Sequence, residues 1–178
     1  MSITIHSSTS IIHLLAALIA LITGTYILFT PKGTMTHRLT GRLYAVSMII
    51  LLGTAFQMYY LFGRFGIVHW GALGSVAALT VGLGAVGLRT FVGSWLRWHY
   101  FGMGASLAGV YASFLVESTY RFFSPSYFWW ATLGPTALVF VLGGFLLYHY
   151  YPKWAKQMNN SSSRVPINRA AQLISSTD

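Results

Sequence analysis

Residues 11–29 read IIHLLAALIALITGTYILF and stop at Thr30-Pro31-Lys32-Gly33. The run holds no charged side chain. A bilayer core about 30 Å thick needs roughly 20 apolar residues in a helix, so this stretch is long enough to cross. Pro31 and Gly33 then break it, because proline cannot continue a helix and glycine supplies the turn. Four runs of the same kind follow, at about 39–62, 65–88, 95–116 and 127–150. They end at Gly63-Arg64, Arg89, Glu117 and Pro152-Lys153 respectively. The expected fold is therefore all-α, a polytopic membrane protein built as a bundle of five transmembrane helices over residues 1–156. Short connections make consecutive helices antiparallel neighbours. Residues 157–178 are rich in Asn and Ser and read as a flexible cytoplasmic tail.

Composition agrees. Of 178 residues, 55% are hydrophobic and only 7% charged, where a soluble domain carries about 25% charged residues. Eleven Lys and Arg face two acids, Glu117 and Asp178, for a formal charge of +9. On a water-soluble chain that excess would suggest nucleic acid, but too few polar residues exist here to coat a globule. No nucleic-acid partner is expected. The shortage of carboxylates excludes paired-carboxylate hydrolases and multi-carboxylate Ca or Mg sites. The absence of cysteine excludes disulfides, thiolate metal sites and iron–sulfur clusters.

The basic residues also orient the chain. Lys32, Arg38, Arg42, Arg89, Arg97, Lys153, Lys156, Arg164 and Arg169 fall on one side of a five-span bundle, and only Arg64 and Arg121 on the other. Basic loops stay in the cytoplasm, so the expectation is a multi-pass protein of a bacterial inner membrane with its N-terminus outside and its C-terminus inside. The first run lacks a basic segment before it and a small-x-small site after it, so it is expected to stay as a span. Trp95, Trp98, Trp129, Trp130 and Trp154 sit at the span ends as an aromatic belt would.

Four of the six histidines recur regularly, at His13, His37, His69 and His99, near the starts of the first four spans. Alternating helix direction puts His13 and His69 near the outer face and His37 and His99 near the inner face. Two stacked bis-histidine sites would result, and haem iron accepts two axial imidazoles. A haem also needs small residues beside its ligands. Ala17, Ala20 and Gly24 share the His13 face, Gly41 lies one turn past His37, and Gly102 lies three residues past His99. Arg38 and Arg42, with Lys32 and Arg97, could pair with propionates or an anionic electron donor at the inner face. Against this, lone interfacial histidines are commonly polar anchors, and small-residue stripes line ordinary membrane helix contacts.

A rival reading uses Glu117, five turns beyond His99 at the outer end. His13, His69 and Glu117 together have the composition of a Zn or Fe site. Glu117 can equally be solvated or paired with Arg121. His149 could add a third inner ligand or simply lie in its Tyr-rich belt, and His6 reads as part of a frayed terminus. The pattern Gly82-Leu83-Gly84-Ala85-Val86-Gly87 matches a dinucleotide fingerprint but has no strand before it, so helix packing explains it better. No Ser/His/acid arrangement can be assembled, and no catalytic residue is assigned.

The His13 helix with Gly24, the stretch Pro31-Lys32-Gly33-Thr34-Met35-Thr36-His37-Arg38 continuing to Gly41-Arg42-Leu43-Tyr44, and His69 opening the next span resemble a widespread family of small bacterial membrane proteins, domain of unknown function 2306. The resemblance covers about residues 10 to 120 and implies a multi-span membrane protein without naming an activity. In layout the chain is also similar to transmembrane dihaem cytochromes b, which place histidines on helices n and n+2. Three readings follow. The first is a membrane protein holding one or two b-type haems and passing electrons to or from a redox partner. The second is a metal-binding transport or sensing protein, and the third an accessory membrane subunit. A small homo-oligomer is compatible with all three.

Overall fold

The computed structural model describes residues 8–57, 65–119 and 122–175, with the side chains of Pro125 and of 157–175 outside the description. Five α-helices make up the described residues: α1 (Ser8–Phe29), α2 (Met35–Ala55), α3 (Ile67–Gly87), α4 (Trp95–Thr119) and α5 (Phe128–Ser175). A 3-10 turn at Pro125–Tyr127 leads into α5, and no strand occurs among the described residues. Residues 58–62 of the expected second span, together with His6, Arg64 and Arg121, lie outside the described residues.

The first connection shows why these helices begin and end where they do. Gly33 has φ of 81°, the left-handed region that glycine adopts without a steric penalty. Thr34 then accepts the backbone N–H of His37 at 3.2 Å and donates its hydroxyl to Pro31 at 2.8 Å. That cap starts α2 at Met35, a turn earlier than hydropathy alone suggests. The other surprise is α5, whose helical backbone continues past Pro152 to Ser175 through the polar segment expected to be a tail.

Helices α1 to α4 form an up-and-down four-helix bundle. The most extensive contacts join α1 to α2 and α3 to α4, while α1 also meets α4 and α2 meets α3. So α2 and α4 face each other along a diagonal. Helix α5 packs on the outside of α4, where Leu147 lies over Gly104 and its carbonyl accepts the Tyr100 hydroxyl at 3.2 Å.

Many interior positions are small: Ala16, Ala20, Ala72, Ala85, Ser106, Ala108 and Ala112 are buried, around a core of Tyr44, Met48, Leu52, Leu79, Leu107 and Val110. The outside carries the bulk, with Ile22 at 66% exposed, Phe29 at 82% and Trp130 at 79%. In water this inverted arrangement would leave far more apolar surface than a soluble monomer tolerates. In lipid it is the favourable one, because small residues let backbones pack closely and large aliphatic residues lose nothing against acyl chains. Helices α1, α3 and the first part of α5, Phe128–Lys156, are long and apolar enough to cross a membrane. At 21 and 25 residues α2 and α4 have the length to cross, but α2 opens with His37, Arg38 and Arg42 and α4 carries Arg97 and Glu117.

Candidate functional site

The α1–α2 and α3–α4 connections lie at one end of the bundle, here the basic end, and the starts of α1 and α3 at the far end. At the basic end His37 and His99 meet across the α2–α4 diagonal, with ring centroids 6.4 Å apart and planes at 83°. Metal–nitrogen distances of about 2 Å place two imidazoles on one metal with centroids about 6 Å apart. An edge-to-face contact between rings falls in the same range, so the surroundings have to distinguish the two.

Those surroundings are specific. His99 Nδ1 lies 2.8 Å from the carbonyl of Gly82. A carbonyl only accepts, so Nδ1 carries the proton and the neutral ring keeps its lone pair on Nε2. This is the arrangement that orients ligating histidines. The bond depends on how closely α3 and α4 approach. A Cβ on Gly102 would lie 2.6 Å from the Gly82 nitrogen, and one on Gly82 would lie 2.8 Å from the Met103 nitrogen. Of the three glycines in the discounted fingerprint, Gly82 thus does the helix packing, whereas a Cβ on Gly84 or Gly87 would meet no atom within 4 Å. On His37, Nδ1 is buried without a hydrogen-bond partner, although buried polar nitrogens nearly always have one. A Cβ on Gly41, one turn further along, would also meet nothing within 4 Å.

Two turns deeper the same helices meet again. Tyr44 follows His37 by seven residues and Ser106 follows His99 by seven, and their hydroxyls lie 2.8 Å apart. Ser106 donates to the Met103 carbonyl at 2.9 Å, so Tyr44 is the donor to Ser106. This buried pair fixes the α2–α4 register on which the histidine contact depends.

The cations at this end are distributed unequally. Lys32 donates to the carbonyls of Leu28 and Thr30 at 3.1 Å each and also to that of Ile27, closing the end of α1. Its ammonium stands 4.1 Å from the centre of the Trp154 ring on α5. Burial pushes the amine down to about 8. Arg38, Arg42 and Arg97 are exposed. A cavity of about 280 Å³ opens beside the loop, lined by Tyr26, Phe29, Thr30, Pro31, Thr34 and Thr36, and none of the histidines borders it.

The far end is organised differently. His13 Nδ1 lies 2.9 Å from Thr54 Oγ1, whose own proton goes to the carbonyl of Ile50 or Leu51. His13 is therefore the donor, with its lone pair on Nε2. His69 is buried, stacked on Phe65 at 4.9 Å and tilted against Phe56 at 6.4 Å. Its Nδ1 accepts the backbone N–H of Gly66 at 3.1 Å. Glu117 is exposed and acts electrostatically on His13. Among the described residues no three His, Cys, Asp or Glu side chains gather as a metal site, so His13, His69 and Glu117 do not form a three-ligand cluster. The stripe expected beside His13 is closed: Ala20 is fully buried, and a Cβ on Gly24 would lie 2.6 Å from Leu107 and 2.9 Å from Tyr44. His149 is exposed and stacks on Phe145 of its own helix.

Reasoning from sequence missed Thr54, Gly66 and Gly82 as the groups that set the histidine tautomers. Gly82 carried a signal as a glycine in a helix one span before His99, and Gly66 one as the residue three before His69; Thr54 carried none. The class these observations define is an all-α protein with three helices able to cross a membrane and a histidine pair joining two others at the basic end. The chain matches no family model, no curated protein and no solved structure.

Proposed function

We propose that this is an integral inner-membrane protein whose five helices all cross the bilayer, and that His37 and His99 hold a b-type haem at the cytoplasmic end for transmembrane electron transfer. The observation that carries this reading is the His37–His99 contact across the bundle diagonal, with a buried nitrogen left over on one ring and the other ring tethered to the Gly82 carbonyl. Orientation follows from the basic residues: the end that holds the pair also holds Lys32, Arg38, Arg42 and Arg97. When bound, haem supplies one-electron chemistry, and the protein sets its potential and position. His99 is oriented through Gly82, Gly41 leaves space beside His37, and Arg38, Arg42 and Arg97 are exposed where propionates or an anionic donor would meet them. Lys32 belongs to the end of α1 instead.

A transition-metal ion at the same two imidazoles is the second reading, favoured by the same ring separation. The absorption spectrum of the detergent-purified protein separates them. A Soret band with sharp reduced α-bands, lost in His37→Ala and in His99→Ala, is expected. Stoichiometric Zn or Fe without a chromophore would select the metal ion. A spectrum and an elemental analysis both blank would leave an accessory membrane subunit.

A further inference from the structure

We propose that the two histidine pairs are unequal: the chain takes up one haem, or one metal ion, at His37–His99, and at the far end His69 is the N-terminal cap of α3 rather than a ligand. This rests on the functional reading above and restricts it to one site per chain.

The argument is one of proton placement. A neutral imidazole has one N–H and one lone pair. On His69 the lone pair of Nδ1 is engaged by the Gly66 N–H, which leaves the proton on Nε2, and a protonated nitrogen cannot coordinate a metal. Ligation through Nε2 would require the ring to change tautomer and abandon the cap. The ring takes the backbone N–H of Gly66, a donor at the helix start that no intrahelical carbonyl reaches. His69 does at the third helical position what Glu or Gln does in a capping box. Phe65 stacked on it and Phe56 beside it hold the ring in that place.

The surrounding space points the same way. Ala16 and Ala20, on the small-residue face of α1 that would have to admit a second macrocycle beside His13, are buried against the bundle, whereas at Gly41, next to His37, a Cβ would meet nothing. At the basic end the Gly82 carbonyl holds the proton of His99 on Nδ1, so the lone pair of that ring stays on Nε2.

The test measures haem per chain by pyridine haemochrome, and metal per chain by elemental analysis, in the full-length protein and in His69→Gln, His69→Ala and His99→Ala. Glutamine at this position keeps a side-chain acceptor for Gly66 but is no haem ligand. One equivalent is expected in the parent protein, the same in His69→Gln and none in His99→Ala. His69→Ala is expected to keep the equivalent but to unfold at lower temperature than His69→Gln. Nitrogen NMR of labelled histidine should show His69 with its proton on Nε2. Two equivalents per chain, or loss of half of the bound group in His69→Gln, would overturn the single site while leaving the haem or metal reading intact. A parent protein with neither haem nor metal overturns both.

Discussion

His37 and His69 are each the third residue of a helix, at opposite ends of one bundle, yet the two rings have different tasks. Before α2 stands Thr34, whose hydroxyl takes the His37 backbone N–H and leaves the imidazole uncommitted. Before α3 stands Gly66, which has no side chain, and His69 turns back to accept the Gly66 N–H itself. At the same helical position one ring takes the N–H of the residue before its helix and the other does not. Distance from a helix start is therefore a poor guide to metal ligation on its own.

The comparison breaks most severely at the α3–α4 crossing. A side chain on Gly102 must displace the α3 backbone at Gly82, and overpacking of this kind costs about 1–3 kcal/mol, more where backbone cannot yield. Gly102→Val is expected to lower the thermal midpoint in detergent sharply and to abolish any His99-dependent spectrum, because the Gly82 carbonyl moves away from Nδ1. Gly84→Ala on the same helix, with open space at its Cβ, should leave both unchanged. Equal behaviour of the two variants would show that the close crossing is not what positions His99.

Exchanging the caps is the next test. Thr34→Gly should cost only a few tenths of a kcal/mol, since glycine is itself an acceptable cap. It removes the acceptor of the His37 backbone N–H and leaves the ring as it is, so binding at the basic end should be unchanged. The reciprocal Gly66→Thr is sterically permitted, because Gly66 has φ −125° and ψ −173°, an extended conformation open to any residue. Its hydroxyl would accept the His69 backbone N–H while the His69 ring keeps the N–H of residue 66, completing a reciprocal capping box worth about 1 kcal/mol. The thermal midpoint should rise and nitrogen NMR should still show the His69 proton on Nε2. A proton moved to Nδ1 would mean that the ring does not hold the helix start.

Much of this architecture can be read in the sequence. The run Ile11–Phe29 with its Pro31 and Gly33 stop, and the return of such runs, define an all-helical chain with membrane-crossing segments. The matching depth of His37 and His99 follows from helix alternation, and the structure brings those two together. The contrast Thr34-x-x-His37 against Gly66-x-x-His69 is also written in the sequence, but it takes on meaning only when both are seen as helix starts. Other parts are not local properties. Thr54 meets His13 and Tyr44 meets Ser106 only through the rotation of each helix about its axis. Likewise, the small stripe Ala17–Ala20–Gly24 does not reveal what will lie against it, and at Gly24 it is Tyr44 and Leu107.

Gly41 sharpens the comparison with a smaller effect. Replacing a helical glycine by alanine reduces the freedom of the unfolded chain and stabilises a helix by about 0.5–1 kcal/mol where there is room. There is room at Gly41. Gly41→Ala should therefore raise the thermal midpoint of protein stripped of any bound group and reduce the amount of haem or metal that the protein retains. A rise in both would mean that the open space beside His37 is not used by the group.

The smallest effect concerns Lys32, which belongs to the basic end but not to the site. Burial holds its amine at about 8, below the ordinary value of 10.5. Three carbonyls and the Trp154 ring surround the ammonium. With the folded value below the unfolded one, the unfolded chain binds more protons between about pH 8 and pH 10.5. Stability contributed by this residue therefore rises with pH across that window. The penalty of burying the charge is full below pH 8 and gone above pH 10.5. Thermal midpoints of Lys32→Met subtracted from those of the parent should show this upward slope between pH 8 and 10.5, and a flat difference would mean that the carbonyls at the end of α1 compensate the burial completely. The haem or metal content of Lys32→Met should match the parent at neutral pH, because a residue that closes a helix end leaves ligation to the histidines.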